Sequence, residues 1–318
     1  MLHAVQNSVR LLLSTLLVSL LLLPGSAVLD RHAALAADTR TELIIRSGQD
    51  PGGRPTQEWL RAIAVFHDDQ SLRDISQSST PLSDEQALWA DLIERRALQW
   101  PDQINHLLTP FRGISPPGRV VIILGNVGGS DAFIAENINI AFDLSRMQLL
   151  YGSADSQSNT DRVDRFFAHE FTHLLHKEWR RTYQPSIQTP LEQALWGCLA
   201  EGLGNYRSLS ARWTNAQGDL SQHAKDVLTR LQPVLVERLS ALEHASTEEA
   251  GELMKGLSLG PFEEKWGALP VALWLTQEAK GDDRVLQEWV DAGPWGIVDL
   301  AAKHLPAELA AQLPQKPE

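Results

Sequence analysis

The sequence predicts an α+β protein in which a small sheet precedes a long helix carrying two histidines, and a mostly helical lobe closes the chain. Three observations lead there. Segments 41–47 and 119–124 are apolar and rich in β-branched residues, and 137–143 alternates polar with apolar, so all three read as strands. From 161 to about 179, Val163, Phe166, Phe167, Leu174 and Leu175 recur at helical spacing. After Arg212 only helical patterns follow, at 219–243 with a kink at Pro233, 268–279, 284–291 and 297–304.

Before the first strand, Arg10 precedes an apolar run at 11–23, then Pro24-Gly25 and the small residues Ala34-Leu35-Ala36. Thirteen apolar residues are too few for a retained membrane helix but suit the core of a signal peptide, so 1–36 is expected to be a cleaved leader. Gly25-Ser26-Ala27 is an alternative cleavage point, and no later apolar run is long enough to span a bilayer. The single cysteine, Cys198, allows no disulfide within the chain and no lipid at the leader's end. An exported chain of the bacterial periplasm or extracellular space is expected. The formal net charge is −12, and removing the leader makes it one unit more negative, which argues against nucleic acid or an anionic membrane as partner.

The mature chain is expected to hold a mainly helical region at 37–115, a core at 116–210 and a helical lobe at 211–318. Residues 56–108 show helical spacing through Leu60, Ile63, Ala64, Leu88, Leu92 and Leu98, with a start at Ser83-Asp84-Glu85. Trp59, Trp89 and Trp100 in this stretch read as packing residues. Residues 110–118 form a Pro/Gly connector, 125–131 a turn and 151–160 a polar loop. Pro185 separates the 161–179 helix from a second one at 190–209, which Thr189, Pro190 and Glu192 begin as a capping box.

The chemistry lies in these two helices. His169-Glu170-Phe171-Thr172-His173 places two imidazoles one helical turn apart on one face, where both can reach a single zinc ion. Glu170 is then placed as the general base for water. A catalytic zinc needs a third protein ligand, and Glu201 in the body of the second helix is the preferred candidate. Glu192 is the alternative, although its capping role already accounts for it. His176, on the same face as His169, either flanks the metal or is solvated near the helix end. Gly202 and Gly204 weaken the second helix by about 1 kcal/mol each relative to Ala. A close approach of the two helices explains both glycines.

An HExxH motif followed by Glu201-Gly202 on a second helix resembles the gluzincin metallopeptidases, in particular exported zinc-dependent proteases with an HEFTH and EGLxxY pattern. The resemblance covers roughly residues 119–206. It implies a gluzincin-like fold, Zn2+ held by His169, His173 and Glu201, catalysis by Glu170, and a peptide or protein substrate. In such proteins the strand before the HExxH helix borders the cleft, a role open to 137–143 beside that of an ordinary sheet strand. The metzincin continuation is missing, because His176 and Trp179 stand where that motif has a Gly and a third His. Asn205, four residues after Glu201, either hydrogen-bonds a ligand imidazole or sits at the surface. The family's oxyanion donor is a downstream Tyr or His, yet the tyrosines are Tyr151, Tyr183 and Tyr206. That leaves Tyr183, expected on the interhelical loop, and His223 as candidates, with Tyr206 read as core. A non-catalytic exported binding protein on the same scaffold is the alternative to a zinc peptidase.

Overall fold

The computed structural model describes residues 41–135 and 139–317, so the leader expected at 1–36 lies outside them. The described chain is mixed α+β, with four strands and thirteen α-helices, and none of its helices is long and apolar enough to cross a membrane. It divides into two compact units. One holds the described residues up to Ala90 together with Gly118–Ser153, and the other holds Asp91–Pro117 and the residues from Ala154 onward.

The first unit is built on β1 (Glu42–Ser47), β2 (Arg119–Gly125), β3 (Ala132–Ala135) and β4 (Asn139–Asp143), with helices α1 (Gln57–Ile63), α2 (Asp69–Gln77), the start of α3 (Asp84–Ala97) and α5 (Leu144–Tyr151). The strand order is β1-β2-β4-β3; β1, β2 and β4 run parallel and β3 is antiparallel to β4. In register, Ile45, Ile122, Ile140 and Ile134 form one apolar row across the sheet. The neighbouring β2 positions Val121 and Ile123 face the other way. They share a core cluster with Trp59, Ala62 and Ile63 of α1. The Trp59 indole donates to the Asn126 carbonyl (2.8 Å). A Cβ at Gly125 would lie 2.4 Å from that ring, so only glycine fits there.

The expectation for 137–143 is corrected in two respects. Its described part, β4, is buried throughout rather than half-buried. It is also paired on both sides, by β2 and β3, so its backbone groups are not free to accept an extended peptide. The edge next to it is β3, a four-residue strand too short to stand out in the sequence. At the end of β4, Asp143 caps α5 through Arg146 N (3.1 Å) and also accepts from Gly128 N and Gly129 N, so one carboxylate folds the 125–131 turn.

The second unit contains α4 (Trp100–Leu108), α6 (Gln157–Tyr183), α7 (Pro190–Ser208), α8 (Gln222–Leu242), α9 (Thr247–Leu253), α10 (Ala268–Ala279), α11 (Gln287–Asp291), α12 (Gly296–His304) and α13 (Ala307–Ala310). The helix expected at 161–179 extends by about a turn at each end. Helix α8 is continuous through Pro233. Trp100 stacks flat on Phe167 with ring centres 4.2 Å apart, and its indole donates to Asp164 (2.8 Å). Arg96 holds the same carboxylate (2.9 Å), which fixes the rotation of α6 about its axis. Helix α7 begins with the expected capping box: Thr189 Oγ1 accepts from Glu192 N (3.2 Å) and Glu192 Oε2 accepts from Thr189 N (2.9 Å). Residues 268–275 of α10 are all buried, making it the central helix of this unit.

Candidate metal centre

Helices α6 and α7 bring His169, His173 and Glu201 together, with ligand atoms that all lie within 4.8 Å of one another. The two Nε2 atoms are 3.0 Å apart, and the rings meet edge to face with centres 4.7 Å apart. Glu201 Oε2 is 3.8 Å from His169 Nε2, and its Oε1 is 3.7 Å from His173 Nε2. A tetrahedral metal with bonds of roughly 2.0–2.1 Å separates its ligand atoms by roughly 3.3–3.4 Å. The observed separations straddle that value, so a metal ion fits between these three side chains with only small shifts. Glu192 is not part of the group; its carboxylate is engaged at the start of α7 by Gln188 N (2.7 Å) as well as Thr189 N.

The electrostatics favour the ligand form of the site. Burial is the main influence holding the His169 imidazole well below its ordinary pKa. The neighbouring His173 and the Lys265 ammonium act in the same direction, against an opposing hydrogen bond from the ring to the Gly204 backbone carbonyl. A neutral imidazole with one nitrogen donating to a carbonyl presents the other as a lone pair, the state a metal requires. Glu170, the next residue along, is buried.

Gly204 belongs to this arrangement sterically as well. A Cβ on it would sit 3.0–3.2 Å from three atoms of the His169 ring, so the ring rests directly on the α7 backbone. Gly202 does not share the role expected of it. Its Cβ would lie 2.3 Å from Val271 Cγ1 on α10, so it is small to admit that helix and not α6. Helical phase gives the reason: residues two apart lie about 200° apart around the axis and cannot face one neighbour.

The remaining candidates stand elsewhere. Tyr183 is the last residue of α6 rather than part of the following loop, ten residues past His173 and so about 15 Å along the axis. Its hydroxyl donates to the Arg112 carbonyl (2.9 Å), which removes it as an oxyanion donor. His223 lies 3.1 Å from Glu263, a carboxylate also held by Arg212, with its ring against Trp213. Asn205 is buried, but neither amide atom has a hydrogen-bond partner among the described residues, so it does not hold an imidazole. His169 uses the Gly204 carbonyl instead.

His176 neither flanks the metal nor reaches solvent. It is enclosed edge-on by Phe111 (4.9 Å) and Trp196 (5.4 Å), and neither ring nitrogen has a hydrogen-bond partner among the described residues. Burial, reinforced by His173, lowers its pKa to about 3. Tyr206 packs as expected, donating to Asp283 (2.7 Å). Lys265 carries no motif, and its electrostatic influence on His169 arises only in the fold.

In comparisons with known proteins, no family model, no curated protein and no solved structure matched this chain. The functional reading therefore rests on the site itself.

Proposed function

We propose that this chain is an exported zinc-dependent peptidase of the gluzincin type, with His169, His173 and Glu201 as metal ligands. One observation carries the reading: two imidazoles and a carboxylate converge at metal-binding separations in the frame of an HExxH helix. Two neutral nitrogens and one oxygen suit zinc and leave a fourth position open. Zinc held by these residues would supply a Lewis acid for the peptide carbonyl and would lower the pKa of a bound water. Glu170 accepts the proton of the attacking water and delivers it to the departing amine. Gly204 keeps the His169 ring oriented through its carbonyl and its bare Cα.

The reading has a direct test. Elemental analysis should find about one zinc per chain in the wild type, and little in His173→Ala or Glu201→Gln. Glu170→Gln should keep the zinc and lose hydrolysis of a peptide library, because an amide cannot accept the proton. Wild-type cleavage by that variant would remove Glu170 from the mechanism. Amino-terminal sequencing of the protein from the envelope fraction should give a start at Ala37, or Val28 for the alternative cut. An unprocessed cytoplasmic chain would defeat the export reading. The alternative, a non-catalytic exported binding protein, draws support from the engagement of Tyr183 and His223 elsewhere. Zinc without hydrolysis in the wild type would favour it.

A further inference from the structure

A cavity of about 600 Å³ opens in the second unit beyond the metal ligands, a size usual for ligand sites. Its lining includes Trp179 and Tyr183 of α6, Trp295 just before α12, and Lys316 and Pro317 among the last described residues. Trp179 and Tyr183 follow His173 by six and ten residues, about 9 and 15 Å along the helix axis. The cavity is therefore separate from the metal centre.

Its walls follow from the local sequence. Helix α6 stops where Gln184 takes a left-handed φ of 44° and Pro185 cannot continue the helix. Tyr183 is left exposed there, its ring centre 5.2 Å from that of Trp179. The link after α11 packs on the same tryptophan, since a Cβ on Gly293 would lie 3.6 Å from Trp179 Cη2. The tail is pinned before it reaches the cavity. Ser240 Oγ donates to the Gln312 carbonyl (2.6 Å), and Leu313 and Pro314 are buried, whereas residues 315–317 are exposed.

Most polar groups of the wall already satisfy one another. The Tyr183 hydroxyl donates to the Arg112 carbonyl, and Arg112 Nε donates to Gln287 (2.7 Å) and lies 3.6 Å from Asp291. Glu192 accepts from Gln188 N and Thr189 N, with the Trp295 indole beside it. Lys316 is exposed on the tail, where water and salt screen its charge. A saccharide needs several uncommitted hydrogen-bonding side chains, and an ion needs an uncompensated buried charge. This wall presents aromatic rings instead. Proline suits them, because its ring is apolar, it has no N–H to satisfy, and a polyproline II backbone keeps its carbonyls in water. The chain itself places a proline there. Pro314 and Pro317 have the three-residue spacing that aligns prolines along one edge of such a helix, and Pro317 stands in the cavity wall.

We propose that this cavity is a second binding site, which takes a proline-rich segment of another protein in the polyproline II conformation against Tyr183 and Trp295. The proposal does not depend on the peptidase reading. Calorimetric titration tests it on the full mature chain carrying Glu170→Gln, so that no probe is consumed. Decaproline should bind about tenfold more tightly than a Gly-Ser decapeptide, because its backbone is already ordered. Tyr183→Ala should weaken decaproline about tenfold, and Tyr183→Phe, which keeps the ring and loses the bond to Arg112, should retain it. Thermal unfolding reports whether each variant keeps its fold, and Trp295→Leu gives the same reading should Tyr183→Ala unfold. Decaproline affinity unchanged in a folded Tyr183→Ala or Trp295→Leu, as binding at the metal centre would give, overturns the proposal. So does equal binding of the two decapeptides, no binding, or a preference for tetramethylammonium or a chitin trimer over decaproline.

Discussion

Gly202 and Gly204 stand two residues apart on α7, yet a methyl group added at the first would strike Val271 of α10 and at the second the imidazole of His169 on α6. One side of α7 is a dry helix-packing face; the other is the floor of the metal cluster. The same residue type answers a stability requirement on one side and a positioning requirement on the other. Glu201 shares the second side with Gly204, three residues away and almost one turn along. The lesson is that a glycine's meaning comes from what covers its face, and helical phase limits which neighbour that is.

The largest expected effect tests the α10 side. Gly202→Val should destabilise the fold by about 3 kcal/mol or more, since overpacking costs about 1–3 kcal/mol and the clash involves a branched side chain. Thermal unfolding measures this. Gly202→Ala should be milder, and Val271→Ala should restore part of its loss. Zinc affinity of the folded fraction should change little. If it falls in step with stability, the two sides of α7 are not separable as described.

Gly204→Ala tests the other side. Displacing the His169 ring by a few tenths of an ångström should weaken zinc binding by about tenfold to a hundredfold, the usual range for losing a group that orients a ligand. Metal-free stability should change less than in Gly202→Ala. Competition with a chromogenic chelator gives the affinity. Unchanged zinc binding in Gly204→Ala would break the comparison.

A third test uses the aromatic cage between α6 and α7. With His176 lowered to about 3 when folded, and free to protonate near 6.5 when unfolded, the unfolded chain binds the extra proton as pH falls. The contribution of His176 is therefore constant above about pH 6.5, and stability is lost progressively between there and about pH 3, by about 1.4 kcal/mol per pH unit at most. His176→Leu should flatten the acid limb of the stability curve by about 2 kcal/mol at pH 5. An unchanged slope would show that this imidazole reaches water.

The smallest effect separates the start of α7 from its middle. Glu192→Gln weakens the capping box and should cost about 1 kcal/mol of stability while zinc stays bound. Loss of zinc in Glu192→Gln but not in Glu201→Gln would exchange their roles.

Local rules in the sequence determine a good deal of this protein. The four-residue spacing of His169 and His173, the Thr189–Glu192 capping box, the apolar run of β2 and the bounds of α10 all depend on contacts a few residues apart, which the sequence displays directly. Helical phase even placed Gly202 and Gly204 on opposite sides, although the motif alone invited one explanation for both. Only the tertiary structure decided that β4 is an inner strand, because strand order depends on pairing partners distant along the chain. It also decided that Phe111 and Trp196 enclose His176 and that Val271 demands Gly202. Each of these depends on which element covers a given face. Periodicity says that a face is apolar or polar, but the neighbour that fills it is chosen by packing the whole chain at once.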